Sequence, residues 1–261
     1  MIPNKQEIIF ECHGTRHTEE KRNSIFKHIL NGFKYKFFDI CAAKFSKVIV
    51  PVDDFKNEFK SNNLIVIPNP LWFFTDSEPN YNSKKVIAVG RHSYQKNFEK
   101  MLSIWQKVVQ KHPDWVLEIY GDPDSKEDLK SVSSLLGIEK NVVFHNAVRN
   151  INEKYLEASF FLLTSRFEGF GMVLIEAMAS GLACISFDCR RGPKDIINNN
   201  CNGFLIENGN EEAFVEKVNL MIEDEYLRIQ MGQNAKNSIS KYDLETIMQQ
   251  WKSLFENLVQ K

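Results

Sequence analysis

The sequence lacks any run approaching the ~20 consecutive apolar residues of a membrane-spanning helix, so none is expected. Its start, Met1-Ile2-Pro3-Asn4-Lys5, has no apolar core of the kind a secretory signal needs. Charge of one sign is missing too: 33 Lys and Arg face 34 Asp and Glu, a formal net charge of −1. No global field then selects a polyanion, and nucleic acid is not an expected partner. Cysteine is sparse, and the five residues Cys12, Cys41, Cys184, Cys189 and Cys201 contain no Cys-x-x-Cys pair. That argues against a disulfide framework and for free thiols in a reducing compartment, which makes the cytoplasm the expected location. Internal repeats and low-complexity tracts are also absent. What is present is an ordinary globular composition, 43% apolar and 26% charged over 261 residues, enough for one or two packed cores. Phenylalanine stands out at 20 residues, which favours large buried contacts and says little about chemistry.

Short apolar runs at Ile8–Phe10, Val48–Val50 and Leu64–Ile67 read as buried strands. Between the first two, Phe26, Ile29, Leu30, Phe33, Phe37, Cys41 and Phe45 recur at three- and four-residue steps, a helical period with a candidate break at Asn31-Gly32. A short polar helix is expected around Asp54 to Lys60, and Pro68 to Lys84, with three prolines among polar residues, reads as a linker. After Lys85 the pattern becomes regular. Strand-like runs at Val86–Val89, Val116–Tyr120, Val142–Phe144, Phe160–Leu163 and Ala183–Phe187 alternate with helical stretches at Asn97–Lys111, Lys126–Leu136, Asn152–Ala158 and Gly171–Ser180. This alternation predicts an α/β fold with a parallel sheet covered by helices on both faces. Three further helical stretches, Glu211–Glu223, Glu225–Ser240 and Leu244–Leu258, close the chain.

In open α/β sheets ligands bind beyond the carboxyl ends of the strands, so the loops there carry the candidate chemistry. The first is Gly90-Arg91-His92-Ser93-Tyr94-Gln95-Lys96-Asn97. Gly90 permits close backbone approach, and Arg91 and Lys96 offer a planar fork and a point charge to phosphate oxygens. The same residues also fit a solvated basic turn in which Asn97 caps the next helix. The second loop runs from Thr164 to Gly181 and includes Glu168-Gly169-Phe170-Gly171-Met172 and Glu176. A helix start near Gly171 presents free N–H groups and a positive dipole end, an anion site. Glu176 is a carboxylate on a mostly apolar helix face and needs donors, which sugar hydroxyls or a structural partner can supply. Glu168 precedes the helix, where it also stabilises the dipole. A third loop, Cys189-Arg190-Arg191-Gly192-Pro193-Lys194-Asp195-Ile196-Ile197, is weakly informative by itself. His13 and His17 stand at a four-residue step, but no further ligands cluster near them in sequence, so no metal is expected.

Taken together, Gly90-Arg91 with Lys96-Asn97, and then Glu168-Gly-Phe-Gly followed by Glu176, resemble the donor-site motifs of family-four retaining glycosyltransferases of the GT-B fold. The pair of acids separated by seven residues is the most specific element. Ile67-Pro68-Asn69-Pro70 resembles the exit from that fold's N-terminal domain; Gly121 and Asn202-Gly203-Phe204-Leu205-Ile206 fall in matching order. Gly192-Pro193-Lys194-Asp195-Ile196-Ile197 is similar to a variant found among surface-polysaccharide transferases. The resemblance implies two Rossmann-like domains: a partial N-terminal one at 1–70, a linker at 71–84 and a nucleotide-sugar-binding domain at 85–243, with 244–261 a helix packing back on the N-terminal part.

It also implies roles. Arg91 and Lys96, with Gly90 and the backbone of Gly169, Phe170, Gly171 and Met172, would hold the donor pyrophosphate. Glu176 would take the ribose hydroxyls, Glu168 the transferred sugar, and Val148 and Arg149 would flank the base. His13 would face the donor sugar across the cleft, where a lone loop histidine otherwise reads as surface. The implied substrates are a UDP- or GDP-sugar donor and a glycan or lipid-linked acceptor in surface-polysaccharide synthesis, with no cofactor. Nothing ahead of Ile8 matches the Gly-rich loop that opens the family's first domain, so an N-terminally truncated chain is expected, and the alternatives are a non-catalytic nucleotide-sugar-binding subunit or an inactive truncated remnant. Cys189-Arg190-Arg191 in place of a glycine pair, and Gly121-Asp122-Pro123 without a second glycine, leave base and sugar open. Finally, Lys21 to Lys47 carries seven cations against Asp39 among phenylalanines; it reads as core packing or as a surface for peripheral membrane docking.

Overall fold

The computed structural model describes residues 7–13, 25–59, 61–123 and 128–259, and only the backbone of 25–33. The expectations that fall on His17, Lys21, Arg22 and the side chains of Phe26, Lys27, Ile29, Leu30 and Phe33 lie outside the described residues.

A small sheet comes first. Strand β1 (Ile9–Glu11) leads to helix α1 (Ile25–Ala42), then β2 (Lys47–Val50), a 3-10 turn (Asp53–Asn57) and β3 (Leu64–Val66). The strands lie parallel in the order β1-β2-β3, with Phe10 beside Val48 and Ile49 beside Ile65. Strand alternation sorts the side chains by face. Val48 and Val50 join the core that includes Phe10, Phe38 and Phe45, whereas Ile49 joins Ile247, Leu254 and Leu258 on the opposite side. Phe10 stacks on Phe45 at 5.2 Å and meets Phe38 edge-on at 5.6 Å. Helix α1 runs unbroken through Asn31-Gly32, against the expected interruption. A glycine inside a helix costs roughly 1 kcal/mol relative to alanine, too little to break a helix anchored to the core through Phe38. The expected polar helix after β2 is instead the 3-10 turn, pinned by the fully buried Phe55.

The second sheet has six parallel strands: β4 (Lys85–Val89), β5 (Val116–Tyr120), β6 (Val142–His145), β7 (Phe160–Leu163), β8 (Cys184–Asp188) and β9 (Gly203–Glu207). Their order is β6-β5-β4-β7-β8-β9. Connecting them are α2 (Phe98–Val109), α3 (Leu129–Leu135), α4 (Ile151–Leu156), α5 (Met172–Ala179) and α6 (Pro193–Ile196); α7 (Glu211–Glu223), α8 (Glu225–Ser238) and α9 (Leu244–Val259) follow. Strand β7 reads as an unbroken apolar run because both its faces are covered; Phe160 to Leu163 are all buried. Helix α2 buries Phe98, Met101, Leu102, Trp105, Val108 and Val109, the three- and four-residue spacing of one helical face. Strand β9 is one more than the apolar runs predict. Gly203 opens it beneath the Cys184 carbonyl, where a Cβ would not fit.

The third sequence cluster joins the two sheets. The Arg191 guanidinium, 1% exposed, pairs with Glu58 and lies 5.0 Å over the Phe55 ring. Lys194 Nζ reaches Asp54 Oδ1 at 2.8 Å. Burial pushes the Asp54 carboxyl up, but hydrogen bonds from Lys194 and Asn57 outweigh it and hold the group below the usual carboxylate value. A carboxyl depressed by folding stabilises the fold above its unfolded pKa and loses that contribution as pH falls through the folded value. Asp54→Asn is therefore expected to cost about 0.5 kcal/mol near neutral pH, small because Lys194 is half exposed. The gap from wild type should narrow on acidification toward about pH 3. Denaturant melts at the two pH values check it; a gap that does not change with pH removes the charge from the account.

Candidate functional site

Strands β4 and β7 are neighbours, yet the chain leaves β4 toward β5 and β6 on one side and leaves β7 toward β8 and β9 on the other. Their carboxyl-end loops diverge at this point, the place where open α/β sheets form a ligand crevice. The loop after β4 is shaped by a close approach. A Cβ on Gly121, which follows β5, would fall onto the Gly90 carbonyl oxygen, so only glycine lets the two loops stack. Gly90 itself lies under the Lys96 side chain, whose methylenes come within about 3 Å of where a Cβ would sit.

The loops after β4 and β7 are laced together. Asn97, in the left-handed region at φ 57°, makes no side-chain cap on α2, contrary to the expected capping role. Its amide donates to the Thr164 carbonyl at 3.3 Å, while the buried Thr164 hydroxyl donates back to the Asn97 carbonyl at 3.2 Å. The Arg166 N–H donates to the Gln95 carbonyl at 2.8 Å, and the Gln95 amide to the Phe167 carbonyl at 3.0 Å. At the centre Lys96 Nζ stands 2.8 Å from Glu168 Oε1, with side chains 14% and 6% exposed. Glu168 is further fixed by its own N–H, which donates to the Arg190 carbonyl at 3.0 Å. Arg91, by contrast, is exposed and has no ion-pair partner among the described residues.

Helix α5 starts at Met172 behind Gly171, whose φ of 99° suits glycine, and no side chain caps it. Its first N–H groups therefore lack a side-chain acceptor. Phe170 turns its ring inward, edge-on to Tyr242 at 5.5 Å, so this residue offers the crevice its backbone only. From α5 the Glu176 carboxylate accepts two bonds: Oε1 from the Trp72 indole N–H at 2.8 Å and Oε2 from the Tyr155 hydroxyl at 3.1 Å. Burial, then the nearby Glu176 charge, pushes the Tyr155 phenol well up, so it remains a donor.

His13 reaches the same loop from the other sheet: its carbonyl oxygen lies 3.0 Å from where a Gly169 Cβ would sit. The His13 ring is exposed and pairs through Nε2 with Glu11 at 2.9 Å. Val148 and Arg149 are exposed in the loop after β6, at the sheet edge two strands from β4, and do not join the Lys96–Glu168 cluster. Near them a cleft of about 270 Å³ is lined by His92, Gly121, Pro123, Leu129, Phe144 and Asn146. Burial pushes the His92 imidazole down, and its ring sits edge-on to Phe98 at 5.6 Å. Among the described residues no group of three or more His, Cys, Asp or Glu could hold a metal ion. Trp72 and Tyr155 escape the sequence reading, and Gln95 and Thr164 are given no role in it. A tryptophan in a polar, proline-rich segment is the one signal that could have exposed Trp72.

The sheet order, with its switch point between β4 and β7, defines an α/β protein of the Rossmann-like kind. The chain belongs to the glycosyl transferases group 1 family, whose model matches residues 73–238. It is 34% identical over 200 residues to a glycosyltransferase of Haemophilus influenzae, covering 76% of this chain and 57% of that one. To the amylovoran biosynthesis glycosyltransferase AmsD of Erwinia amylovora it is 32% identical over 232 residues, covering 85% and 64%. It thus spans less than two thirds of either relative. The structure of a Staphylococcus aureus TarM mutant in complex with fondaparinux, α-GlcNAc-glycerol and UDP superimposes with a TM-score of 0.76 at 27% identity, over 84% of this chain and 46% of that one. No helix among the described residues is long and apolar enough to cross a membrane, and all five cysteines are free thiols.

Lys96→Ala would strand the Glu168 carboxylate without its cation and is expected to lower stability by about 2–4 kcal/mol. The Lys96→Ala/Glu168→Ala double variant should lose less than Lys96→Ala alone, because no buried charge is left unpaired. Urea melts of the four proteins of this cycle measure the coupling, and strictly additive losses would show that the two side chains do not act as a pair.

Proposed function

We propose that this chain carries the donor site of a retaining glycosyltransferase that moves a sugar from a UDP- or GDP-sugar to a glycan or lipid-linked acceptor in surface-polysaccharide synthesis. The observation that carries the reading is the convergence of Lys96, Glu168 and the uncapped start of α5 at the switch point. Two cations, Arg91 and Lys96, stand with that helix start where a diphosphate's charge would develop as it leaves. Fixed positive groups that meet a charge as it forms lower the barrier more than any other effect open to such a site. Lysine has three protons, so Lys96 can keep one on Glu168 and offer others to phosphate oxygens.

Glu168 then addresses the hydroxyls of the transferred sugar and Glu176 those of the ribose. The cleft beside Val148 and Arg149 suits a base, and His13 faces the sugar from the first sheet. Retention follows if the acceptor hydroxyl attacks the anomeric carbon on the face from which the diphosphate departs. The acceptor oxygen–carbon bond forms, the carbon–phosphate-oxygen bond breaks, and the acceptor's proton goes to the departing phosphate. Charge is neutralised by side chains rather than by a metal ion.

Kinship to AmsD supports the surface-polysaccharide setting. A peripheral place on the cytoplasmic membrane face is supported by the exposed Phe37 and Ile40 of α1 beside the exposed Lys34, Lys36 and Lys44. Glu168→Ala is expected to leave affinity for free UDP or GDP within about twofold while weakening the cognate nucleotide sugar by roughly tenfold, the worth of a charge-assisted hydrogen bond. Calorimetry with both ligand types reads this, and equal losses for nucleotide and nucleotide sugar would contradict the assignment. A turnover assay across several nucleotide sugars separates transfer from binding alone.

A further inference from the structure

The Glu176 carboxylate has about four lone-pair positions, two on each oxygen. In the structure Trp72 occupies one on Oε1 and Tyr155 one on Oε2. One position is left on each oxygen, and a vicinal diol presents two O–H groups side by side. The arrangement therefore leaves the pair of acceptors that the 2′- and 3′-hydroxyls of a ribose require.

We propose that Trp72 is a positioning residue for the ribose subsite: its indole N–H, with the Tyr155 hydroxyl, fixes the Glu176 carboxylate in the orientation that receives the diol. This rests on the reading of Glu176 given above. Three features carry it. Tyr155 is fully buried and anchors Oε2 from α4. Trp72 is 57% exposed, so burial does not account for its place; its ring meets that of its neighbour Phe73 edge-on at 4.6 Å, and its only hydrogen bond among the described residues goes to Glu176. The neighbouring Leu71 is 2% exposed, and its N–H donates to the Tyr242 carbonyl at 2.7 Å, which pins the backbone from which the indole projects. Indole is a donor only, so Trp72 can hold a carboxylate but cannot take a proton from a hydroxyl. A free Glu side chain would lose its rotamer freedom only when the nucleotide arrives; one already held loses little.

The test is calorimetry of the wild type, W72F and E176Q with UDP and with 2′,3′-dideoxy-UDP. W72F keeps a ring and removes the donor. It is expected to weaken UDP by about three- to tenfold and to leave the dideoxy nucleotide unchanged. Its melting temperature should stay close to the wild type's, since the residue is mostly exposed and phenylalanine keeps a ring beside Phe73. Unchanged or tighter UDP binding by W72F, or equal losses for both nucleotides, overturns the proposal. If E176Q separates the two nucleotides and W72F does not, the Trp72 assignment alone falls. If E176Q does not separate them, the ribose reading falls and the role of Trp72 with it.

Discussion

A buried ion pair at the point where a parallel sheet reverses its order is what the rest of this architecture serves. Lys96 and Glu168 come from loops that follow neighbouring strands but lead away in opposite directions. Two loops that diverge tend to splay, and a cation and a carboxylate taken out of water hold together only in good geometry. The lacing of Asn97 to Thr164 and of Gln95 to the backbone of Arg166 and Phe167 supplies that geometry. Because most of these bonds engage main-chain atoms, they fix where the loops lie, and the two side chains then meet without further adjustment.

The small sheet braces this arrangement from outside. Arg191 follows β8 and is packed between Glu58 and Phe55 of the first unit, while the bridge between Phe167 and Arg190 ties the same segment to the Glu168 loop. A shift of the first sheet would thus be felt at Glu168 through one short stretch of backbone. His13 comes to the Gly169 backbone along a second path. Both connections rely on a few charged or main-chain contacts, whose geometry is more exacting than that of apolar packing.

Strand positions were legible because a parallel strand covered on both faces is mostly apolar, and runs such as Phe160–Leu163 have no other simple reading. Helix α2 was legible from its period for the same reason. Strand β9 was not, because Gly203 heads it and Glu207 ends it at the sheet edge, where burial no longer dictates every side chain. The charged motif positions could be placed on loops from strand ends alone. Their partners could not. That Asn97 turns to Thr164 rather than capping α2, or that Trp72 reaches Glu176 across 104 positions, is decided by how loops distant in sequence are brought together. No periodicity records this.

The two acids of the motif therefore differ in their surroundings although only seven residues separate them on one segment. Glu168 is held by a cation, almost out of water; Glu176 is held by two neutral donors and keeps partial access to solvent. A carboxylate neutralised by Lys96 adds little net charge to a crevice that, on the proposed reading, must accept a diphosphate. One held by neutral donors has no cation beside it to offset its charge, which favours hydrogen bonds from hydroxyls over contact with phosphate. On that reading the groups that would meet a phosphate, Lys96 and the start of α5, lie around the acid that a cation pairs. The acid with no cation beside it lies on the second turn of α5, where, on the same reading, a sugar rather than a phosphate would meet it. A division of the proposed site into a phosphate end and a hydroxyl end would then follow from how each carboxylate is paired.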